Sequence, residues 1–305
     1  MSYEPQFKNF IDTHQKYYND EKEYLYRMKV FAENNEFIKR HNFKNHSYTL
    51  AVNKFADFTS QEFKAQHSPI KKLLFTNQIS THKDINLDDW NGSLDWRTTN
   101  NPVNKGVVTP VKNQASCGSC YAFAAAETTE TVWAIKGNKL PILSPQQIVD
   151  CSDIDPYDNA GCGGGNPNST FQYIIDNKLC SEKDYPYKSI KGNCKKCNPV
   201  AKVSGFVNVP DEKSMFETLK RTVISIAIEA DTQVFQFYSS GVFDDDSCGT
   251  NLDHAVVLVG YGTDDKDYWI LRNSWGETWG EKGYMRIVRN KNMCGLSEYA
   301  IAAYL

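Results

Sequence analysis

All nine cysteines of this chain lie between Cys117 and Cys294, and no other feature of the sequence restricts its fold so strongly. An odd count lets eight of them pair as four disulfides and leaves one over as a thiol. Cross-links of that density belong to an oxidising compartment, and a thiol spared from them calls for a chemical reason. The 305 residues correspond to about two compact units. With 34 basic and 37 acidic side chains the formal charge is -3, too balanced for an electrostatic claim on DNA, RNA or an anionic membrane, so nucleic acid is excluded as a partner. Apolar runs such as 224–228 and 255–259 are far below the ~20 residues that cross a bilayer, so no membrane span is expected. The opening MSYEPQFKNF lacks the basic and apolar regions of a secretory signal, which leaves the destination open.

Residues 1–89 contain no cysteine and are rich in Phe, Tyr and helix-forming polar residues, so they read as a separate helical unit. Phe7, Phe10, Ile11 and Tyr18 fall near helical spacing, and the pattern predicts a second helix over 21–44. Within it Glu23, Arg27, Phe31, Asn34, Ile38 and Asn42 recur every three or four residues and share one face. An amphipathic core helix accounts for Phe31 and Ile38. It does not account for the polar members, which need partners wherever they are buried. The sequence from 68 to 89 loses this periodicity and reads as an extended linker.

After Cys120 the Ala-rich stretch YAFAAAETTETVWAIK suits a helix, and Ser144-Pro145-Gln146-Gln147 offers an N-cap, a first-turn proline and a capping-box glutamine. Past Cys197 the texture changes to short Val-, Ile- and Tyr-rich runs separated by Gly, Asp and Asn, which read as strands. A helical half followed by a strand half implies an α+β protein of two lobes, with the cleft between them a natural substrate site.

Cys120 stands where the helix begins, in QASCGSCYAF. Unpaired backbone N–H groups and the positive end of the helix dipole favour a thiolate there. The C-x-x-C pair formed with Cys117 is by itself equally compatible with a redox motif, zinc ligands or disulfides.

QASCGSCYAF resembles the nucleophile motif of papain-like cysteine proteases; LDHAVVLVGYG and YWILRNSWGETWGEKGYMRI resemble their histidine and asparagine motifs, in the same order. The stripe from Glu23 to Asn42 is similar to the family's interspersed propeptide signature. Residues 51–57 match its second propeptide motif, with Asn53, Phe55 and Asp57 in place. The resemblance covers nearly the whole chain. It implies an inhibitory helical propeptide with linker at 1–89 and a cathepsin L-like protease domain at 90–305. That domain would have a mainly helical lobe over about 100–206 and a β-barrel-like lobe over about 207–305.

Carried over residue by residue, the resemblance makes Cys120 the nucleophile, His254 its acid and base partner, Asn273 the group orienting the imidazole, and Gln114 an oxyanion donor. Trp275 would shield the His254 to Asn273 hydrogen bond from water. A thiolate paired with an imidazolium attacks a peptide carbonyl and leaves a proton for the departing amine. Losing one oxyanion donor typically costs ~3 kcal/mol of transition-state stabilisation.

For the cleft, the resemblance assigns Gly164 and Gly165 to the peptide backbone, with Gly165 bonding the second residue before the cut because a Cβ would be in the way. Asn166, Pro167, Ala227, Leu252, Ala255 and Tyr299 match positions lining the pocket for that residue, and Asp253 joins the substrate-binding set. With Tyr299 as a floor, the pocket should favour medium aliphatic side chains; the adjacent Glu298 leaves basic specificity open. The family also pairs Cys117 with Cys162, Cys151 with Cys194 and Cys248 with Cys294, leaving Cys180 with Cys197. A zinc site built from Cys117, Cys120, Cys194 and Cys197 is the rival reading, and it would consume the nucleophile.

Two departures stand out: Tyr121 replaces the usual Trp after the nucleophile, and the loop TTNNPVNKG is longer than in papain. The interval from Cys151 to Cys162 has no room for the occluding loop of cathepsin B, which favours an endopeptidase. The resulting expectation is a cysteine endopeptidase zymogen acting through a thioester, inhibited by its propeptide and activated at acidic pH, without metal or cofactor. Its partners would be protein or peptide substrates, its own propeptide and cystatin-type inhibitors, and it would be a monomer in a lysosome, another acidic vesicle or the secreted fluid. A catalytically silent binding protein is the alternative. Sequons at Asn45, Asn91 and Asn168 allow glycosylation on a secretory route.

Overall fold

A computed structural model describes residues 3–67 and 92–305; the expected linker, the boundary near 89 and Asn91 lie outside the described residues. Helix α1 (Glu4–His14) places Pro5 in its first turn, where a missing N–H is tolerated, and buries Phe7 and Phe10. Helix α2 (Glu21–Asn42) starts at Asp20, whose carboxylate accepts from the Glu23 backbone N–H at 2.8 Å. The two helices meet through Phe31, with ring centroids 5.4 Å from Phe7 and 5.0 Å from Phe10. Tyr18 lies beyond the end of α1 but still stacks on Phe7 at 5.7 Å.

The six-residue stripe lies on one face of α2, and its polar members bond mostly to the chain that follows. Asn34 donates to the carbonyls of Ala56 and Phe58, both at 2.9 Å. Asn42 donates to the Leu50 carbonyl at 2.8 Å and accepts from the Leu50 N–H at 2.9 Å. Arg27 reaches Glu62 at 2.9 Å and the Asp57 carbonyl at 3.0 Å, while Glu23 accepts from the Asn19 N–H. Asn34, Asn42 and Arg27 thus satisfy backbone groups of 50–58, a stretch with little secondary structure of its own. Asp57 is buried and accepts from Lys16 at 2.8 Å and Tyr18 at 3.0 Å.

Strand β1 (Tyr48–Leu50) leads to helix α3 (Ser60–His67). Strand β2 (Leu94–Asp95) opens the second described segment, and three helices follow: α4 (Cys120–Ile135), α5 (Pro145–Cys151) and α6 (Pro167–Asn177). Helix α4 is buried almost all round, as suits an Ala-rich helix at the centre of a core. At α5 Ser144 accepts from the Gln147 N–H as expected of an N-cap, but the capping box stays half formed. The Gln147 side chain instead donates to Tyr173 and the Lys178 carbonyl and accepts from the Cys180 N–H, because buried backbone there has a greater need of partners.

The small hairpin of β3 (Leu179–Cys180) and β4 (Pro199–Ala201) ends this lobe. Then come β5 (Gly205–Asn208), α7 (Glu212–Leu219), β6 (Ile224–Ile228), α8 (Gln233–Gln236), β7 (Tyr238–Phe243), β8 (His254–Thr263), β9 (Asp267–Arg272), β10 (Tyr284–Val288) and β11 (Ala300–Tyr304). Among the described residues the main sheet runs β1-β7-β10-β9-β8-β6-β11-β5, with β2 on β8. Strand β8 is buried along nine of its ten residues, which explains its continuous apolar run. Residues 3–67 fold on their own helices, yet β1 is an outer strand of this sheet, with Tyr48 opposite Gly241 on β7.

A buried charge network ties α4 to the sheet. Arg272 on β9 lies 3.2 Å from Glu127 and donates to Thr109 at 3.0 Å, while Glu130 receives Lys112, Thr109 and the Leu143 N–H.

Candidate active site

Cys120 is the only free cysteine of the nine. The four disulfides join Cys117 to Cys162, Cys151 to Cys194, Cys180 to Cys197 and Cys248 to Cys294, the pairing the resemblance implies. They also exclude the zinc reading, since Cys117, Cys194 and Cys197 are all consumed.

The thiol begins α4, and its electrostatics differ from the sequence expectation of a ready thiolate. Burial pushes it up to about 11, against the downward pull of backbone hydrogen bonds at Ala255, Tyr121 and Cys120 itself. A thiolate cut off from water loses more hydration than the helix terminus returns. The same Ala255 contact sets the start of β8, and with it His254, beside the thiol.

His254 and Asn273 join at 2.8 Å between Nε2 and Oδ1, and both are fully buried. Trp275 stacks on the imidazole with centroids 4.7 Å apart and an interplanar angle of 25°. Gln114 is fully buried; its Nε2 donates to the Cys117 carbonyl at 3.0 Å and its Oε1 accepts from Ser274 at 2.7 Å. These two bonds lock the amide between the loop that leads to Cys120 and the strand end at Asn273.

Gly164 adopts a positive φ of 99°, and Gly165 has no room for a Cβ. The obstruction comes from within the fold: such an atom would lie 2.6 Å from the Tyr121 ring and 2.5 Å from Asn159 Oδ1. The structure thus gives an internal reason for this glycine. Asn166 caps α6 and accepts from Tyr299 at 3.3 Å, with Pro167 following in the first turn. Ala227 lies opposite Ala255 and donates its N–H to the Tyr299 carbonyl at 2.9 Å. Asn166, Pro167, Ala227, Ala255 and Tyr299 are therefore gathered in one place. Leu252 is half-buried and reaches toward Gly295. Asp253 accepts from the Ala230 N–H at 2.8 Å. Asn168 is buried at 6% exposure, so a glycan has no room there, whereas Asn45 is exposed.

Several residues of the site escaped sequence reasoning. Phe63 lies perpendicular to Trp275 with ring centroids 5.3 Å apart, beside Phe55 at 5.7 Å, so the N-terminal unit packs against the ring that stacks on His254. The repeated aromatics Phe55, Phe58 and Phe63 were the available signal. On the other side Gln233 donates to Asn34 at 2.9 Å. Gln236 donates to the Phe55 carbonyl at 3.1 Å and accepts from Asn53 at 2.8 Å through its own carbonyl. Lys64 pairs with Asp231.

The papain family cysteine protease domain matches residues 90–304, and the cathepsin propeptide inhibitor domain (I29) matches residues 7–63. Chymopapain of Carica papaya is 40% identical over 306 residues, spanning 95% of this chain and 83% of that protein. Cathepsin L1 of Drosophila melanogaster is 40% identical over 321 residues, spanning 96% and 82%. The solved structure of digestive procathepsin L 3 of Tenebrio molitor larval midgut superposes with a TM-score of 0.89 at 36% identity and covers 100% of both chains. No helix among the described residues is long and apolar enough to cross a membrane. The chain belongs to the papain family of cysteine proteases, as a zymogen with a cathepsin-type propeptide inhibitor domain ahead of its protease domain.

Proposed function

We propose that Cys120, His254, Asn273 and Gln114 carry the peptide hydrolysis of this endopeptidase. The observation that supports this most is the single free thiol at the start of α4, beside an imidazole whose Nε2 is tied to Asn273 and roofed by Trp275. With Nε2 donating to Asn273, Nδ1 is the nitrogen that exchanges a proton with Cys120. The thiolate attacks the scissile carbonyl carbon, and the oxyanion is held by the Gln114 amide and the Cys120 N–H. Collapse breaks the C–N bond as His254 gives its proton to the amine, leaving a thioester. Water then attacks the thioester, His254 takes a proton from it, and sulfur leaves as the thiolate.

Gly164 and Gly165 hold the substrate backbone, and Asn166, Pro167, Ala227, Leu252, Ala255 and Tyr299 line the pocket for the second residue before the cut, with Tyr299 as a floor suited to medium aliphatic side chains. Residues 1–89 are the propeptide and are removed in acid. The mature enzyme is a monomer of a lysosome, another acidic vesicle or a secreted fluid, and its cleft is open to cystatin-type inhibitors. Four disulfides fit such a route.

Rapid acid quench during turnover, followed by mass measurement, tests the assignment. An acyl adduct on the Cys120 peptide is expected, and with Asn273→Ala the kcat should fall by about 10- to 1,000-fold while the adduct still maps to Cys120. An adduct on another residue, or full kcat in Asn273→Ala, would overturn it.

A further inference from the structure

Helix α3 ends on a second set of contacts beyond its packing on Trp275. Lys64, adjacent to Phe63, forms an ion pair with Asp231, whose side chain is 11% exposed. Asp231 follows β6, and Glu229 and Asp253 stand beside it: both favour the charged form of Lys64, while burial first, and then Asp231 and Glu229, push the Asp253 carboxyl up to about 7. Three carboxylates from the end of β6 and the approach to β8 thus face one ammonium. The Lys64 ammonium is correspondingly held above its ordinary pKa, first by the Asp231 hydrogen bond.

Asp253 is 7% exposed and uses only one oxygen, which accepts from the Ala230 N–H; its Oδ2 is buried without a hydrogen-bond partner among the described residues. A buried carboxylate oxygen with no donor is costly to the fold. It sits in the group that a cation already faces from the propeptide side.

The position of this patch identifies what it would meet in a substrate. His254 hands its proton to the departing amine, so the chain after the cut passes the His254 and Trp275 side of the thiol, away from Gly165. Asp253 immediately precedes His254, and Phe63 covers Trp275 while Lys64 takes the carboxylates. We propose that Asp231, Glu229 and Asp253 form a binding site for a basic side chain on the first residues after the scissile bond, and that Lys64 occupies it in the zymogen. This inference rests on the hydrolytic reading given above. It adds a specificity on the leaving side that the pocket around Tyr299 does not provide.

Internally quenched peptides with one common acyl half, and Arg, Ala or Glu at the first and second positions after the cut, test the proposal on the acid-processed enzyme. Enzyme concentration is fixed by titrating Cys120 with a thiol-directed alkylator, which also shows that each variant is folded. The Arg peptides should exceed the Glu peptides in kcat/KM by on the order of tenfold or more, with the gap shrinking in high salt. Asp231→Asn should bring the Arg to Glu ratio toward one, and Asp231→Lys should invert it. Equal cleavage of all peptides by the wild type, or an Arg preference unchanged in both variants, would overturn the proposal. Failure to cleave any peptide would instead overturn the hydrolytic reading beneath it.

Discussion

The Tyr121 ring fills the space that a Cβ on Gly165 would need, and its hydroxyl donates to the Gly161 carbonyl at 2.9 Å. The aromatic that replaces the family's usual Trp is therefore a buttress under the glycine segment. Gly165→Ala should destabilise the processed enzyme by about 1–3 kcal/mol through overpacking and lower kcat/KM, as the segment must shift. Tyr121→Phe keeps the ring and loses one buried hydrogen bond, about 1 kcal/mol. Chemical denaturation and peptide kinetics of the two variants check this order.

Cys120 gives a second prediction. With its buried thiol pushed up to about 11, only a trace is thiolate at neutral pH. Iodoacetamide should label the zymogen slowly and the processed enzyme at least about 100-fold faster, since opening the cleft restores water and the imidazolium partner. Equal labelling rates in the two forms would contradict the burial account.

Acid should loosen the propeptide in two stages. His41 is buried, its ring stacked on His46 at 4.1 Å and tilted on Tyr48 at 4.7 Å, while Tyr48 donates to Asp245 of the protease domain. Burial lowers the His41 pKa, the neighbouring His46 and Lys44 lower it further, and Asp245 opposes them. A base depressed in the folded state costs stability once pH falls below its unfolded value, ~6.5, because the released chain takes a proton that the packed one refuses. Asp245 and Glu62 move downward: burial raises each, but hydrogen bonds from Ser247 and Tyr48 to Asp245, and from Thr59 and Arg27 to Glu62, outweigh it. Their stabilisation is present above the unfolded carboxylate range of ~3.9–4.3 and is lost as pH falls through their lower folded values. His41→Phe should slow processing severalfold near pH 6 and leave it close to wild type near pH 4, read from N-terminal shortening on gels.

Asn34 is the hinge of the inhibitory contact, since it holds two propeptide carbonyls and accepts from Gln233 across to the protease domain. Asn34→Ala removes these bonds and leaves the buried Ala56 carbonyl unsatisfied, at about 1–3 kcal/mol. The uncleaved variant should therefore hydrolyse a small peptide at least about fivefold faster than the uncleaved wild type at neutral pH.

Much of this was legible in the chain. Cys120, His254 and Asn273 stand in short local motifs, and the α2 stripe follows from periodicity. The disulfides come from the family pattern, because spacing alone leaves the pairing open. What escaped is long-range and polar. Gln233 and Gln236 lie on a one-turn helix and meet propeptide residues some 180 to 199 positions away, which no local pattern encodes. Gln147 suited a capping box until buried backbone at Lys178 and Cys180 claimed its amide. The upward shift of Cys120 depends on what covers the thiol, so the helix-start reasoning gave the opposite sign.

The central claim is that one chain holds both the Cys120 enzyme and the propeptide that covers it. Purified zymogen incubated with a thiol reductant at pH ~4–5, beside Cys120→Ala, tests it most directly, with peptide hydrolysis and N-terminal shortening followed together. The wild type should shorten to near residue 90 and gain activity as it does so, while Cys120→Ala stays inactive even after its propeptide is removed by another protease. Hydrolysis by the Cys120→Ala protein, or a fully shortened wild type that cleaves nothing, would contradict the account.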